Sequence, residues 1–158
     1  MKFAQYQFLK EHALAACQAK SGASLEELKR IDAKRMNPIV LAYIGDVVFS
    51  MYVRLRLLPT SAHVRVLNDL SMKYVSAVCQ SLAMESLEKD LTAEEQQVFH
   101  RGRNAKSTVP KSASVHQYRM ATAFEALLGY LFLEEQQERL EELLDRSFQY
   151  ISDSLAKK

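Results

Sequence analysis

Two carboxylates stand out by their surroundings. Asp46 is the single charged residue in residues 39–53, and Glu125 the single charged residue in 120–133. Both stretches are apolar nearly all the way round, which predicts two helices buried inside a domain. A carboxylate on such a helix costs several kcal/mol unless a cation or a hydrogen-bond donor meets it. Small residues lie beside each acid: Gly45 next to Asp46, and Ala121 and Gly129 one turn either side of Glu125. They predict room for a ligand to approach both. One reading is a shared divalent-cation site, where all-oxygen ligation favours Mg²⁺, with Mn²⁺ as a substitute. The other is structural, with Asp46 capping a neighbouring helix or pairing with a base such as Arg119.

Other chemistries fit less well. The four histidines are scattered, with no HExxH spacing, and neither a GxSxG elbow nor a Walker loop is present. Cys17 and Cys79 are too few and too far apart for a disulfide framework and read as reduced thiols of a cytoplasmic protein.

Charge is unevenly placed. Residues 96–124 contain no acid but hold Arg101, Arg103, Lys106, Lys111 and Arg119, with His100 and His116. The last 25 residues carry seven acids against four bases. Residues 101–114 lack an apolar period and are rich in turn formers, which predicts a basic loop. Asn104, Ser107 and Thr108 interleave with the bases and suit phosphate oxygens. A solvated surface loop, basic for solubility, is the alternative.

The elements that must position these groups read as helices. Residues 3–19 have an amphipathic period, and Ser24 with Glu27 forms a capping box for a second helix. Asn37 followed by Pro38 predicts the start of the Asp46 helix, which ends near Leu58 and Pro59. Residues 63–86 read as one further helix, striped by Val64, Leu67, Leu70, Tyr74, Val78 and Leu82. Thr92 with Glu95 opens a short helix to about His100, and Ser114 with Gln117 caps the Glu125 helix. A final acidic helix has Leu140, Leu143, Leu144, Phe148 and Ile151 on one face. No strand is expected: the fold class is all-α, six or seven helices, with residues 1–36 as a helical N-terminal extension and 37–158 as the main domain.

Four glycines and three prolines in 158 residues agree with long helices and short connections. The length suits one domain that buries its own core. The N-terminus lacks the apolar run of a signal peptide. Arg54 and Arg56 close the longest apolar run short of the ~20 residues that span a bilayer, so no membrane contact is expected. A net charge of +2 is too small to identify a partner.

Leu41-Ala42-Tyr43-Ile44-Gly45-Asp46 and Ala123-Phe124-Glu125-Ala126-Leu127-Leu128-Gly129 together resemble the catalytic domain of ribonuclease III. That family pairs a LEFLGD-type helix with an AxAFEALxG-type helix. Through Arg101-Gly102-Arg103-Asn104-Ala105-Lys106-Ser107 and residues 129–133 the chain is similar to the Mini-ribonuclease III branch, over roughly 37–148. The resemblance implies an all-α, Mg²⁺-dependent endoribonuclease that works as a homodimer on double-stranded RNA and leaves 5′-phosphate ends. It implies maturation of large-subunit (23S-type) ribosomal RNA precursor, admits a ribosomal protein as helper, and expects no separate double-stranded-RNA-binding domain.

By the same resemblance Asp46 and Glu125 are the catalytic, metal-binding acids, and Tyr43 is the aromatic that contacts the partner subunit. From the basic segment, Arg101, Arg103, Asn104, Lys106, Ser107 and Lys111 are the candidate RNA contacts. Ala42 stands where LEFLGD has Glu, Thr122 where ADAFEAL has Asp, and Ser50 where relatives often have Glu, which implies weaker or substrate-dependent metal binding. Those missing acids support the rival reading, a non-catalytic helical RNA-binding or ribosome-associated protein that keeps only the fold. A purely structural helical dimer leaves the acid-free basic window unexplained.

Overall fold

The structure, a computed structural model, describes residues 32–106 and 113–157, with Phe8, Glu11 and His12 besides. The chain divides into two compact units, Met1–Ile31 and Asp32–Lys158. In the first, Phe8 and His12 are helical and their rings lie 4.3 Å apart. The helices predicted over 3–19 and from Leu25, and Cys17, otherwise lie outside the described residues.

The second unit contains six α-helices and, among the described residues, no strand: α1 Pro38–Leu57, α2 Val64–Tyr74, α3 Ala77–Leu87, α4 Ala93–Arg103, α5 Val115–Leu133 and α6 Gln137–Ala156. The predicted caps form. Asn37 Oδ1 accepts from the Ile39 amide at 2.9 Å, with Pro38 at the first helical position. Thr92 with Glu95, and Ser114 with Gln117, make reciprocal capping boxes.

α5 is the central helix. Residues 120–131 are buried almost without a break, with Glu125 as the half-buried exception. α1, α3 and α4 pack around it, and α6 closes the far side against α3 and α5. Phe49 of α1 meets Phe124 of α5 edge-on, with ring centroids 5.0 Å apart, worth about 1 kcal/mol beyond the area buried. At the rim, Arg139 of α6 holds the buried Glu95 through two parallel bonds of 2.8 and 3.0 Å.

Four expectations are corrected. Residues 63–86 do not form one helix: the chain breaks at Val75 and Ser76, where the Ser76 hydroxyl caps α3 by accepting from the Cys79 amide. The apolar stripe runs on across that break, so hydrophobic period alone conceals it. The basic segment is helical at its start, because α4 continues through Arg103. α1 is buried along one side only; Val40, Tyr43, Val47, Met51, Leu55 and Leu58 form an exposed apolar stripe at three- and four-residue spacing. Finally, residues 38–60, α1 with the short turn after it, are long and apolar enough to cross a membrane by length and composition. The chosen side of α1 nevertheless packs on α5 within a helical core.

Candidate active site

The glycines beside the acids do not make room for a ligand. They let two backbones touch. A Cβ on Gly45 would lie 1.8 Å from the Glu125 carbonyl oxygen, and one on Gly129 would lie 2.0 Å from that of Leu41. Only glycine at both positions permits α1 and α5 to cross so closely. The crossing brings Asp46 and Glu125 to the same cleft, of about 270 Å³, lined also by Ile39, Ala42, Tyr43, Tyr118 and Thr122.

The two acids differ in setting. Asp46 is exposed on the rim and makes no ion pair among the described residues, so the pairing with Arg119 is not formed. Glu125 is half-buried. Burial first, and the neighbouring Asp46 carboxylate second, push its carboxyl up to about 8. The Gln80 amide acts in the opposite sense.

The positions where the family motifs carry further acids line this cleft without a charge. Ala42 presents a methyl group, and Thr122 Oγ1 donates back to the Tyr118 carbonyl at 3.0 Å. Ser50 lies one turn beyond Asp46 in an adjoining groove, where its hydroxyl and carbonyl both accept from Arg54. Among the described residues no three His, Cys, Asp or Glu side chains converge on a metal position. The carboxylate pair therefore stands alone.

A second cleft, of about 420 Å³, is basic. Arg103, Asn104, Val115, His116 and Arg119 line it, bringing the end of α4 to the start of α5. The Arg103 guanidinium sits over the Phe99 ring, 5.5 Å from its centroid. Lys106 is exposed just beyond. Ser107 and Lys111, with Thr108, lie outside the described residues. Arg101 faces elsewhere: its guanidinium donates to the carbonyls of Lys34 and Met36, tying the entry of α1 to the end of α4. His116 Nε2 lies 3.1 Å from Glu85 Oε1 and links the N-terminal turn of α5 to α3. Arg119 and His116 join this cleft although neither was among the expected RNA contacts. Their membership in the acid-free window was the available signal.

Two acids from two crossing central helices, next to a basic cleft, form the candidate site of a helical domain. A family model described as Ribonuclease III domain matches residues 39–136. The Mini-ribonuclease 3 of Clostridium tetani is 44% identical over 122 residues, spanning 75% of this chain and 81% of the relative. That of Symbiobacterium thermophilum is 46% identical over 118 residues, spanning 72% and 89%. A crystal structure of a Fusobacterium nucleatum protein superposes with a TM-score of 0.69 at 28% identity, over 73% of this chain and 93% of that one. The chain belongs to the Mini-ribonuclease 3 family of ribonuclease III-domain proteins.

Proposed function

We propose that this protein is a divalent-metal-dependent endoribonuclease that cuts double-stranded RNA as a homodimer, with large-subunit ribosomal RNA precursor as its substrate. The observation that carries this reading is the single cleft into which the Gly45–Gly129 crossing brings Asp46 and Glu125.

The donor set fits a hard dication. Both donors are carboxylate oxygens, and Mg²⁺ binds through few protein carboxylates while keeping several waters. Burial first, and the Asp46 carboxylate second, raise the Glu125 carboxyl, and a cation held by both acids would relieve that cost. Asp46 would hold such an ion from the rim and Glu125 from α5, with water and phosphate filling the places that Ala42 and Thr122 leave. When bound, the cation supplies an activated water for in-line attack and stabilises the charge on the leaving 3′ oxygen. The products are a 5′ phosphate and a 3′ hydroxyl.

Double-stranded RNA is read by its shape, its phosphates and its 2′-hydroxyls. Arg103, Asn104 and Lys106, with Arg119 beside them, supply charge-assisted donors close to the acid cleft. The exposed stripe of α1 suits a self-complementary contact between two copies, with Tyr43, 73% exposed, at one end. Two cleavage sites on one dimer would cut both strands of a duplex. Residues 32–36 belong to the main unit, so the proposed extension is residues 1–31.

The test is a long RNA duplex incubated with the protein in Mg²⁺ or in EDTA, with Asp46→Asn alongside. Mg²⁺-dependent cutting that Asp46→Asn loses while remaining folded supports the reading. Cutting by Asp46→Asn overturns the role of that acid, and an intact duplex bound by folded protein favours an RNA-binding role alone.

A further inference from the structure

The basic cleft holds one side chain whose charge is not permanent. His116 lines it beside Arg103, Asn104, Val115 and Arg119, on the N-terminal turn of α5. Its Nε2 lies 3.1 Å from Glu85 Oε1 on α3, and the same oxygen accepts from the Ser81 hydroxyl at 3.2 Å. Ser81 is buried, so the carboxylate is braced from within its own helix. An ionised carboxylate has lone pairs only, and the ring nitrogen that faces it must carry a proton. The tautomer is thereby set: Nε2 donates to Glu85 in both charge states. Nδ1, across the ring, is left for a ligand in the cleft. It presents a lone pair in the neutral imidazole and an N–H in the imidazolium. The charged groups around the ring are Glu85 from α3, Arg103 from the end of α4 and Arg119 one turn further along α5.

We propose that His116 is a phosphate contact of this cleft that engages only when protonated, so that binding of duplex RNA takes up a proton. This rests on the reading of the basic cleft as the RNA surface. A phosphate oxygen is an acceptor, and the lone pair of neutral Nδ1 opposes it. Protonation turns that atom into a charge-assisted donor. It also cancels the Glu85 charge at the edge of the cleft, which otherwise offsets part of the positive field of Arg103 and Arg119. Both effects have the same sign, and histidine is the side chain that makes this change near neutral pH. The two arginines stay charged throughout, so the proton adjusts affinity without abolishing binding.

The experiment is fluorescence anisotropy of a labelled RNA duplex with the full chain in EDTA, at fixed salt, from about pH 6 to about pH 8. Wild type is compared with His116→Gln, which cannot take the charge, and His116→Lys, which keeps it. The His116 side chain is 70% exposed, so neither substitution disturbs packing. Titration calorimetry in two buffers of different ionisation enthalpy reads the proton uptake. We expect wild-type affinity to fall about 5-fold across the range, the size of one exposed charge-assisted contact. His116→Gln should bind at the weaker level throughout, with less proton uptake, and His116→Lys at the tighter level throughout. A folded His116→Gln that keeps the wild-type pH dependence overturns the proposal. So does wild-type binding that is equal at every pH while Arg119→Ala weakens it. Wild-type affinity in both Arg103→Ala and Arg119→Ala overturns the reading of the cleft itself, and this assignment with it.

Discussion

Gly45 and Gly129 face each other across the crossing of α1 and α5. A Cβ on Gly45 would stand 2.8 Å from the Gly129 nitrogen, and one on Gly129 would stand 3.0 Å from the Gly45 nitrogen. Asp46 follows the first glycine directly, and Glu125 lies one turn before the second. The spacing of the two carboxylates is thus set by backbone contact and not by their own side chains.

Gly45→Ala should therefore be far from conservative. The methyl group meets backbone, which cannot swing aside, and the helices must separate. Alanine favours helix by ~1 kcal/mol, but overpacking of this kind costs about 3 kcal/mol or more. The expected result is a lower denaturation midpoint and a larger loss of cutting than the lost stability explains. A Gly45→Ala protein with wild-type stability and rate would mean that the crossing tolerates expansion.

Glu95 and Arg139 form the one deeply buried ion pair described, with the Glu95 side chain 3% exposed. Burial alone would raise the Glu95 carboxyl, but Arg139 and the Thr92 amide outweigh it and hold it below its ordinary value of 4.5. A depressed carboxylate stabilises the fold at pH above that ordinary value and loses its contribution as pH falls through the folded-state value. The stability advantage of wild type over Glu95→Gln should therefore shrink on acidification below 4.5, as followed by urea denaturation at a series of pH values. Arg139→Met at neutral pH strands a buried charge and should cost about 3–5 kcal/mol.

Arg101 and Arg103 lie two residues apart and should behave oppositely. Arg101→Ala removes the tie to the Lys34 and Met36 carbonyls and should lower the melting temperature while leaving the salt dependence of RNA binding intact. Arg103→Ala should leave the melt nearly unchanged and reduce the log–log salt slope by about one unit. Binding isotherms at four salt concentrations distinguish them, and a slope unaltered by Arg103→Ala removes that residue from the interface.

If the apolar stripe of α1 carries the proposed dimer contact, a charge at its middle should abolish that contact. Met51 is 56% exposed and faces away from the core. Met51→Lys should give a folded monomer by light scattering, with duplex cutting much reduced. A dimer that survives the substitution would place the subunit contact elsewhere.

Much of this arrangement was legible because helices announce themselves locally. Asn37, Thr92 and Ser114 are cap residues whose bonds lie within three positions, and a lone acid in an apolar run is conspicuous wherever the run folds. What stayed hidden depends on partners distant in the chain. The alanine-like smallness of Gly45 reads as open space until Gly129 is seen against it. Arg101 looks like every other base in its window, since its acceptors are backbone carbonyls that carry no sequence signature. The exposed side of α1 reads as core because its apolar side chains have the composition of an interior.

The break at Ser76 also divides the molecule in time. α2 contributes only Ser71 and Tyr74 to the buried set, and it is held at its end by Tyr74, stacked on Phe148 and bonded to the Ser152 hydroxyl at 2.8 Å. α5 is sealed over most of its length. Local opening draws on the elements with the least buried surface. Amide hydrogens of residues 66–70 should therefore exchange with solvent while those of 123–129 wait for the whole domain to unfold. The surface beside α2 should open first, and Glu125 should stay on the helix that opens last.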